Sequence, residues 1–200
     1  RILEFKGLSN DGKTAMIQEK IGSLIKNRSD DYDRGIFLQM QRFLVTCREE
    51  FKRVRDHHHI SRIISVFYSI RKTLGQKIEM LPNRRHFIVK FIKTRLTDSG
   101  NERPVLGVLV GLNFLRQHEV FEKAHLIKAL KNFIPDIQAV ESSFFMDRNR
   151  ENTIQNIYLE IEQSRARYVH RTLYLDIESI VSLMVTASNY AKIIDDRMER

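Results

Sequence analysis

The stretch Gly7-Leu8-Ser9-Asn10-Asp11-Gly12-Lys13-Thr14 fits the pattern G-x-x-x-x-G-K-[ST]. This pattern is typical of a phosphate-binding loop that joins a strand to a helix. Glycines let the backbone curl so that successive N–H groups point at phosphate oxygens, and the following helix adds the positive end of its dipole. The stretch therefore predicts a nucleotide-binding core, with a Gly-rich turn that binds nothing as the alternative.

Each residue type in the motif has a chemical role. Lys13 can reach the terminal phosphates of ATP and is the candidate catalytic residue, while the Thr14 hydroxyl can hold Mg²⁺. The candidate nucleotide-binding residues are Gly7, Asn10, Asp11, Gly12, Lys13 and Thr14. Asp176 ends a predicted strand, so it is either a second Mg²⁺ ligand or the cap of the last helix.

Hydrophobic spacing predicts the elements around the motif. Ile2, Leu3 and Phe5 form a candidate strand before it. Apolar residues at helical spacing then predict helices over residues 13–26, 36–54, 60–78 and 83–97.

The polar string from Thr97 to Pro104 is the clearest candidate linker, and the pattern changes beyond it. The nearly continuous apolar run Val105–Leu115 predicts a buried strand, and residues 119–133 predict a helix. Two further strands, Ile137–Met146 and Thr153–Ile161, flank a turn and predict an antiparallel hairpin. A strand at 169–177 and a helix at 178–198 complete the pattern.

These elements predict an α/β protein with a P-loop-type core and an inserted or appended α+β subdomain that contains the antiparallel hairpin. The expected divisions are residues 1–97 for the phosphate loop and helices, 98–163 for the subdomain, and 164–200 for a strand and helix that can return to the core.

The sequence around the motif resembles the N-terminal sequence of P-loop nucleotide kinases, thymidylate kinases in particular. The residues Ile2-Leu-Glu-Phe-Lys-Gly7 stand where that family has an apolar strand followed by Phe-Glu-Gly. Phe43-Leu-Val-Thr-Cys-Arg48 resembles a family helix whose Phe and Arg face the nucleobase, and Asp196-Arg197-Met-Glu199 resembles a lid segment. The resemblance implies phosphoryl transfer from ATP with Mg²⁺, with Phe43, Arg48 and Arg197 contacting the substrate or closing over it.

Charge is the second unusual property. The chain has 34 basic and 25 acidic residues, and its net charge is +9. Residues 51–95, which we call the basic segment, hold twelve Lys/Arg and two acids, so the segment carries +10 and the rest carries −1. Such a segment predicts a non-catalytic module that binds nucleic acid, an anionic membrane or an acidic partner, or a P-loop ATPase acting on nucleic acid. The alternative is a solvated helix face.

The remaining features place the chain in a broad class. No apolar run reaches the roughly 18 residues needed to span a bilayer, and no signal peptide is visible. The single Cys47 cannot form an internal disulfide, which predicts a reducing compartment and cytoplasmic location. The sequence does not predict the oligomeric state.

Overall fold

The computed structural model describes residues 2–98, 101–116, 119–131, 135–148 and 154–163. The helices in these ranges are α1 (Ile2–Asn27), α2 (Gly35–Thr46), α3 (Glu49–Val54), α4 (His57–Met80) and α5 (Lys123–Lys131). The strands are β1 (Phe87–Asp98), β2 (Asn101–Asn113), β3 (Ile137–Ala139), β4 (Phe145–Arg148) and β5 (Ile154–Gln163). The predicted combination of helices and strands is confirmed, and the sheet is antiparallel.

The chain divides into two compact units. Among the described residues, the first unit, the helical unit, contains 2–73, 95–98 and 101–103, and the second, the sheet unit, contains Leu74–Thr94 and the described residues from Pro104 to Gln163. The boundaries between the units fall inside α4 after Thr73, inside β1 after Thr94, and before Pro104, the last residue of the predicted linker.

The helical unit confirms the predicted helices over 13–26 and 60–78. Helix α1 begins at Ile2, so the strand predicted at Ile2–Phe5 is wrong. The single helix predicted over 36–54 is also wrong, because the backbone is extended at Cys47 and Arg48 and separates α2 from α3.

Aromatic packing accounts for the break between α2 and α3. The Phe51 ring contacts the Phe43 ring edge-on, with 6.2 Å between their centroids, and Phe67 of α4 lies 6.3 Å from Phe43. All three side chains are buried. The extended residues let α3 turn back so that Phe51 reaches this cluster, and burial of three aromatic rings outweighs the loss of two residues of helix.

In the sheet unit the strands follow the order β1-β2-β5-β3, and β4 also pairs with β5. Leu106 of β2 lies opposite Ile161 of β5, and Asn113 lies opposite Ile154, so the two long strands pair antiparallel over eight residues. The predicted antiparallel pairing is confirmed, because β3 and β4 both pair antiparallel with β5. The single strand predicted over Ile137–Met146 is wrong, because residues 140–144 separate β3 from β4.

The helix predicted over residues 83–97 is wrong, since residues 87–98 form β1. Val89 is buried in the core cluster of the sheet with Leu126 and Leu130 of α5, and Phe87 and Phe91 pack against the same cluster. An interval of four residues fits a helix, but it is also an even interval that fits strand alternation. Burial against α5 and β2 decides between the two.

Strand β5 is buried over residues 154–161, including the polar side chains of Gln155, Asn156 and Glu160. The Glu160 side chain is fully buried. Its carboxylate accepts a hydrogen bond of 2.8 Å from the Tyr158 hydroxyl. The Tyr158 ring lies over Gly107 of β2, where a Cβ atom would come within 2.7 Å of the hydroxyl oxygen. Gly107 is therefore required by close packing.

Candidate functional site

The motif Gly7–Thr14 lies within α1 and not in a loop between a strand and a helix. In an α-helix the N–H of each residue donates to the carbonyl four residues earlier. The N–H groups of residues 10–13 therefore have backbone partners in the helix, whereas a phosphate-binding loop leaves them free to face a phosphate. A P-loop core is not found among the described residues.

Lys13 holds the end of another helix. Its ammonium donates to the carbonyl oxygens of Lys52 at 2.7 Å, Arg53 at 3.3 Å and Arg55 at 3.0 Å. These residues form or follow the C-terminal turn of α3, where carbonyl groups lack helical partners and the helix dipole is negative. The three contacts use the three donors that an ammonium has. Lys13 thus caps α3 from α1.

The charge on Lys13 is influenced by burial and by a carboxylate. Partial burial lowers the pKa of the Lys13 ammonium, and the negative charge of Asp56 opposes that effect. Asp56 itself accepts a hydrogen bond of 2.7 Å from the His59 N–H at the start of α4. Its position before α4 is that of an N-cap.

Lys52 has an equivalent role for α2. Its ammonium donates to the Leu44 carbonyl at 3.0 Å and pairs with the Glu49 carboxylate. Leu44 lies in the last turn of α2, so its carbonyl is one of those without a helical partner. Lys13 therefore connects α1 to the C-terminal carbonyl groups of α3, and Lys52 connects α3 to a C-terminal carbonyl group of α2.

A cavity of about 130 Å³ opens beside these lysines. Its lining includes the motif residues Lys13 and Thr14, the pair Glu49 and Lys52, and the apolar side chain of Ile17. Pockets for small-molecule ligands usually measure about 300–1,000 Å³. The cavity can hold one phosphate-sized group but is too small for a nucleotide.

The structure does not bring the other predicted site residues to this cavity. Phe43 is fully buried in the aromatic cluster, and Arg48 is exposed at the extended residues before α3. Asp176 and Arg197 lie outside the described residues. In the described ranges no group of three or more His, Cys, Asp or Glu side chains is placed to hold a metal ion.

Some cations of the basic segment make hydrogen bonds and ion pairs within the protein. Lys72 donates to the carbonyl oxygens of Asp30 and Asp31 at 3.4 and 3.3 Å. The Arg85 guanidinium pairs with the buried Glu119 carboxylate at 2.8 Å and donates to the Asn113 carbonyl at 3.0 Å. These cations support the fold, so a high count of basic residues overstates the charge that is free to bind a partner.

A tyrosine links α4 to the residues before α2. The Tyr68 hydroxyl donates to Asp33 Oδ2 at 2.5 Å, and Asp33 Oδ1 accepts from the Gly35 N–H at 2.7 Å. Burial and the hydrogen bond with the Asp33 carboxylate raise the pKa of Tyr68 to about 12. The same hydrogen bond is the main reason that the pKa of Asp33 is lowered.

The other part of the basic segment faces solvent. Seven of its twelve cations are exposed. Within the described part of the chain, five of these seven side chains have no acidic partner; they are Arg53, Arg62, Lys77, Arg84 and Lys90. Lys77, Arg84 and Lys90 follow one another from the end of α4 through its connection to β1, all in the sheet unit.

The connection from α4 to β1 is held by hydrogen bonds that the sequence did not indicate. The Asn113 side chain accepts from the His86 N–H at 2.5 Å and donates to the Arg84 carbonyl at 3.0 Å. The His86 ring lies 3.0 Å from the Leu81 carbonyl. An isolated Asn at the end of an apolar strand carries no signal for such contacts, because they depend on which residues the fold places opposite it.

No helix in the described ranges combines the length and the apolar character that a membrane span requires. No protein-family model matches the sequence, and comparison with curated proteins and with solved structures likewise found no match.

Proposed function

We propose that this protein is a non-catalytic module that binds a polyanion through exposed cations of the basic segment. The observation that carries the proposal is the set of five exposed cations without an acidic partner among the described residues. An exposed cation that makes no ion pair can exchange its counterions for the charges of a ligand without breaking an internal contact. Lys77, Arg84 and Lys90 offer three such charges on neighbouring elements.

The charge distribution supports a local binding site and not a non-specific attraction of anions by the whole protein surface. Outside the basic segment the chain carries a net charge of −1. The segment holds two acids against its twelve cations, namely Asp56, which caps α4, and Glu79. Binding is therefore expected to depend on a few identifiable cations.

The test compares two triple variants that remove the same charge. The first is Lys77→Gln/Arg84→Gln/Lys90→Gln, and the control is Lys20→Gln/Lys26→Gln/Lys128→Gln, in which three exposed lysines outside the basic segment are replaced. We expect the first to weaken binding to a fluorescent 20-nucleotide single strand about 100-fold at low salt, since each lost phosphate contact removes on the order of 1 kcal/mol. Equal weakening by both variants would show that only net charge matters and would contradict the proposal.

ATP binding with Mg²⁺ at the motif is a second candidate function, and phosphoryl transfer would depend on it. One observation favours it, namely that Lys13 and Thr14 line the same cavity. Against it stand the helical backbone of the motif, the three carbonyl partners of Lys13 and the cavity volume of about 130 Å³. To bind ATP, α1 would have to unwind near Gly12 and Lys13 would have to leave α3.

Calorimetry with ATP and Mg²⁺ separates the two functions. The proposal predicts no saturable heat for the native protein at concentrations up to about 1 mM ATP. Saturable binding by the native protein that is lost in Lys13→Ala, with the variant still folded by circular dichroism, would favour the ATP site instead.

A further inference from the structure

An exposed apolar patch lies at the end of the sheet unit where α4 leads into β1. Its four aliphatic members have these exposed fractions: Met80 72%, Leu81 49%, Leu115 38% and Val120 45%. Single exposed aliphatic residues are common on protein surfaces, but a group of them from several elements indicates an interaction site.

Hydrogen bonds bring these four residues together although they come from separate parts of the chain. The Leu81 carbonyl contacts the His86 ring, and His86 exchanges hydrogen bonds with Asn113, two residues before Leu115. The Leu115 N–H then donates at 3.0 Å to the carboxylate of Glu119, the residue before Val120. The backbones of Leu81 and Leu115 are thus fixed at one end of the sheet, and Met80 and Val120 are the chain neighbours of residues in this network.

A buried ion pair makes this end rigid. Arg85 and Glu119 lie 2.8 Å apart, with side chains 8% and 1% exposed. Because Glu119 also accepts from the Leu115 N–H, it holds the segment after β2 against the segment before β1. The aliphatic side chains are therefore presented on a fixed backbone.

Three exposed cations lie close to the patch residues along the chain. Lys77 lies one helical turn before Met80 and Leu81, and Arg84 follows them in the connection to β1; both are exposed. Arg116, next to Leu115, is exposed as well. Glu79 lies on α4 about 200° around the helix axis from Lys77, so it projects away from this side. Glu122 is the other exposed acid nearby, at the start of α5.

We propose that this patch docks the protein on an anionic phospholipid surface, with Met80, Leu81, Leu115 and Val120 entering the headgroup–acyl boundary and Lys77, Arg84 and Arg116 lying at the phosphates. The combination of aliphatic side chains and cations fits a lipid surface, because aliphatic groups gain by leaving water there and each cation near an anionic surface adds about 1 kcal/mol. Nucleic acid is a poorer fit, since bases stack on aromatic rings and the four exposed residues are aliphatic. The inference rests on the proposed polyanion-binding function and specifies its ligand.

The test measures co-sedimentation with 100-nm vesicles of phosphatidylcholine alone and of phosphatidylcholine with about 30% phosphatidylserine. The decisive variant is Met80→Gln/Leu81→Gln, which changes no charge. The control is Leu38→Gln/Val45→Gln, which replaces two exposed apolar residues of α2 in the helical unit. Urea unfolding of both variants verifies that each is folded.

We expect native protein to bind the anionic vesicles at least tenfold more tightly than the neutral ones. We expect Met80→Gln/Leu81→Gln to lower the anionic-vesicle affinity roughly tenfold and the control to leave it unchanged, because two aliphatic side chains no longer enter the boundary. Affinity for the single-stranded oligonucleotide should be the same in both variants and in the native protein.

Several outcomes would overturn the lipid assignment. These are equal binding to both kinds of vesicle, anionic binding that Met80→Gln/Leu81→Gln does not reduce, and binding to the oligonucleotide or to polyglutamate without binding to anionic vesicles. Oligonucleotide binding without vesicle binding would leave the proposed function in place and remove only this inference. Binding to none of these ligands would remove both.

Discussion

Replacing Lys13 by methionine tests whether its ammonium caps α3. Helix α3 has six residues, which is too short for a helix to be stable alone. Its C-terminal carbonyl groups receive the three hydrogen bonds of Lys13 across about 40 residues of chain. Methionine keeps an apolar stem of similar length but removes the charge and all three donors. We therefore expect Lys13→Met to destabilise the helical unit without disturbing the packing of α1.

The size of the effect follows from the contacts. A hydrogen bond that involves a charged group contributes about 1.5–3 kcal/mol when it is shielded from water, and a cation near a helix C-terminus contributes about 0.3–1 kcal/mol. The Lys13 side chain is only half-buried, so water competes for each contact and the sum must be reduced. The free energy of unfolding should fall by about 1–2 kcal/mol.

Urea unfolding followed by circular dichroism measures this change, and Lys20→Met is the matched control. Lys20 lies on the same helix, is exposed and has no acidic partner among the described residues. Its replacement should change the free energy of unfolding by less than about 0.5 kcal/mol. Amide hydrogen exchange should also increase in α3 of Lys13→Met and not in the control. Equal stability of the two variants would refute the capping role.

Three further changes test individual contacts. The pKa of Tyr68 is about 12 in the folded protein and about 10 in the unfolded chain, so the free energy of unfolding should fall between pH 10 and 12. The fall should be smaller in Tyr68→Phe, and urea unfolding of both proteins at pH 8 and 11 measures the difference. Gly107→Ala should lower the free energy of unfolding by about 1–3 kcal/mol, because the new Cβ atom would clash with the buried Tyr158 ring. Gly75→Ala in α4 meets no atom within 4 Å and should raise the free energy of unfolding by about 0.5–1 kcal/mol. Equal melting temperatures of the two variants would count against the packing of Tyr158 on Gly107. Glu119→Gln should cost about 3 kcal/mol because it leaves the Arg85 charge buried without its carboxylate, and an unchanged urea midpoint would contradict the buried pair.

The sequence predicted elements well where one periodicity dominated. The run Val105–Leu115 is β2 nearly as expected, because it is too apolar for anything but a strand buried on both faces. It failed at residues 83–97, because spacing by four residues fits both a helix and a strand. The burial of the acid Glu160 beside Tyr158 could not be predicted, since it depends on strand order, which the local pattern does not contain.

The candidate site shows the same limit. The motif Gly7–Thr14 matches a phosphate-binding loop in composition, yet that loop requires a strand before it, and α1 already begins at Ile2. Helical structure turns Lys13 into a cap for α3. The charge of the basic segment could be counted from sequence, but the division between structural cations such as Arg85 and exposed ones such as Lys77 required the fold.

Salt dependence of polyanion binding tests the central claim most directly. Affinity of the native protein for the single-stranded oligonucleotide should be measured between 50 and 200 mM salt and plotted on logarithmic axes. Each phosphate contact contributes a slope of about −0.7, so contacts by Lys77, Arg84 and Lys90 predict a native slope of −2 or steeper that becomes about 2 shallower in the triple variant. A flat native plot, or a slope that the triple variant leaves unchanged, would contradict polyanion binding by the basic segment.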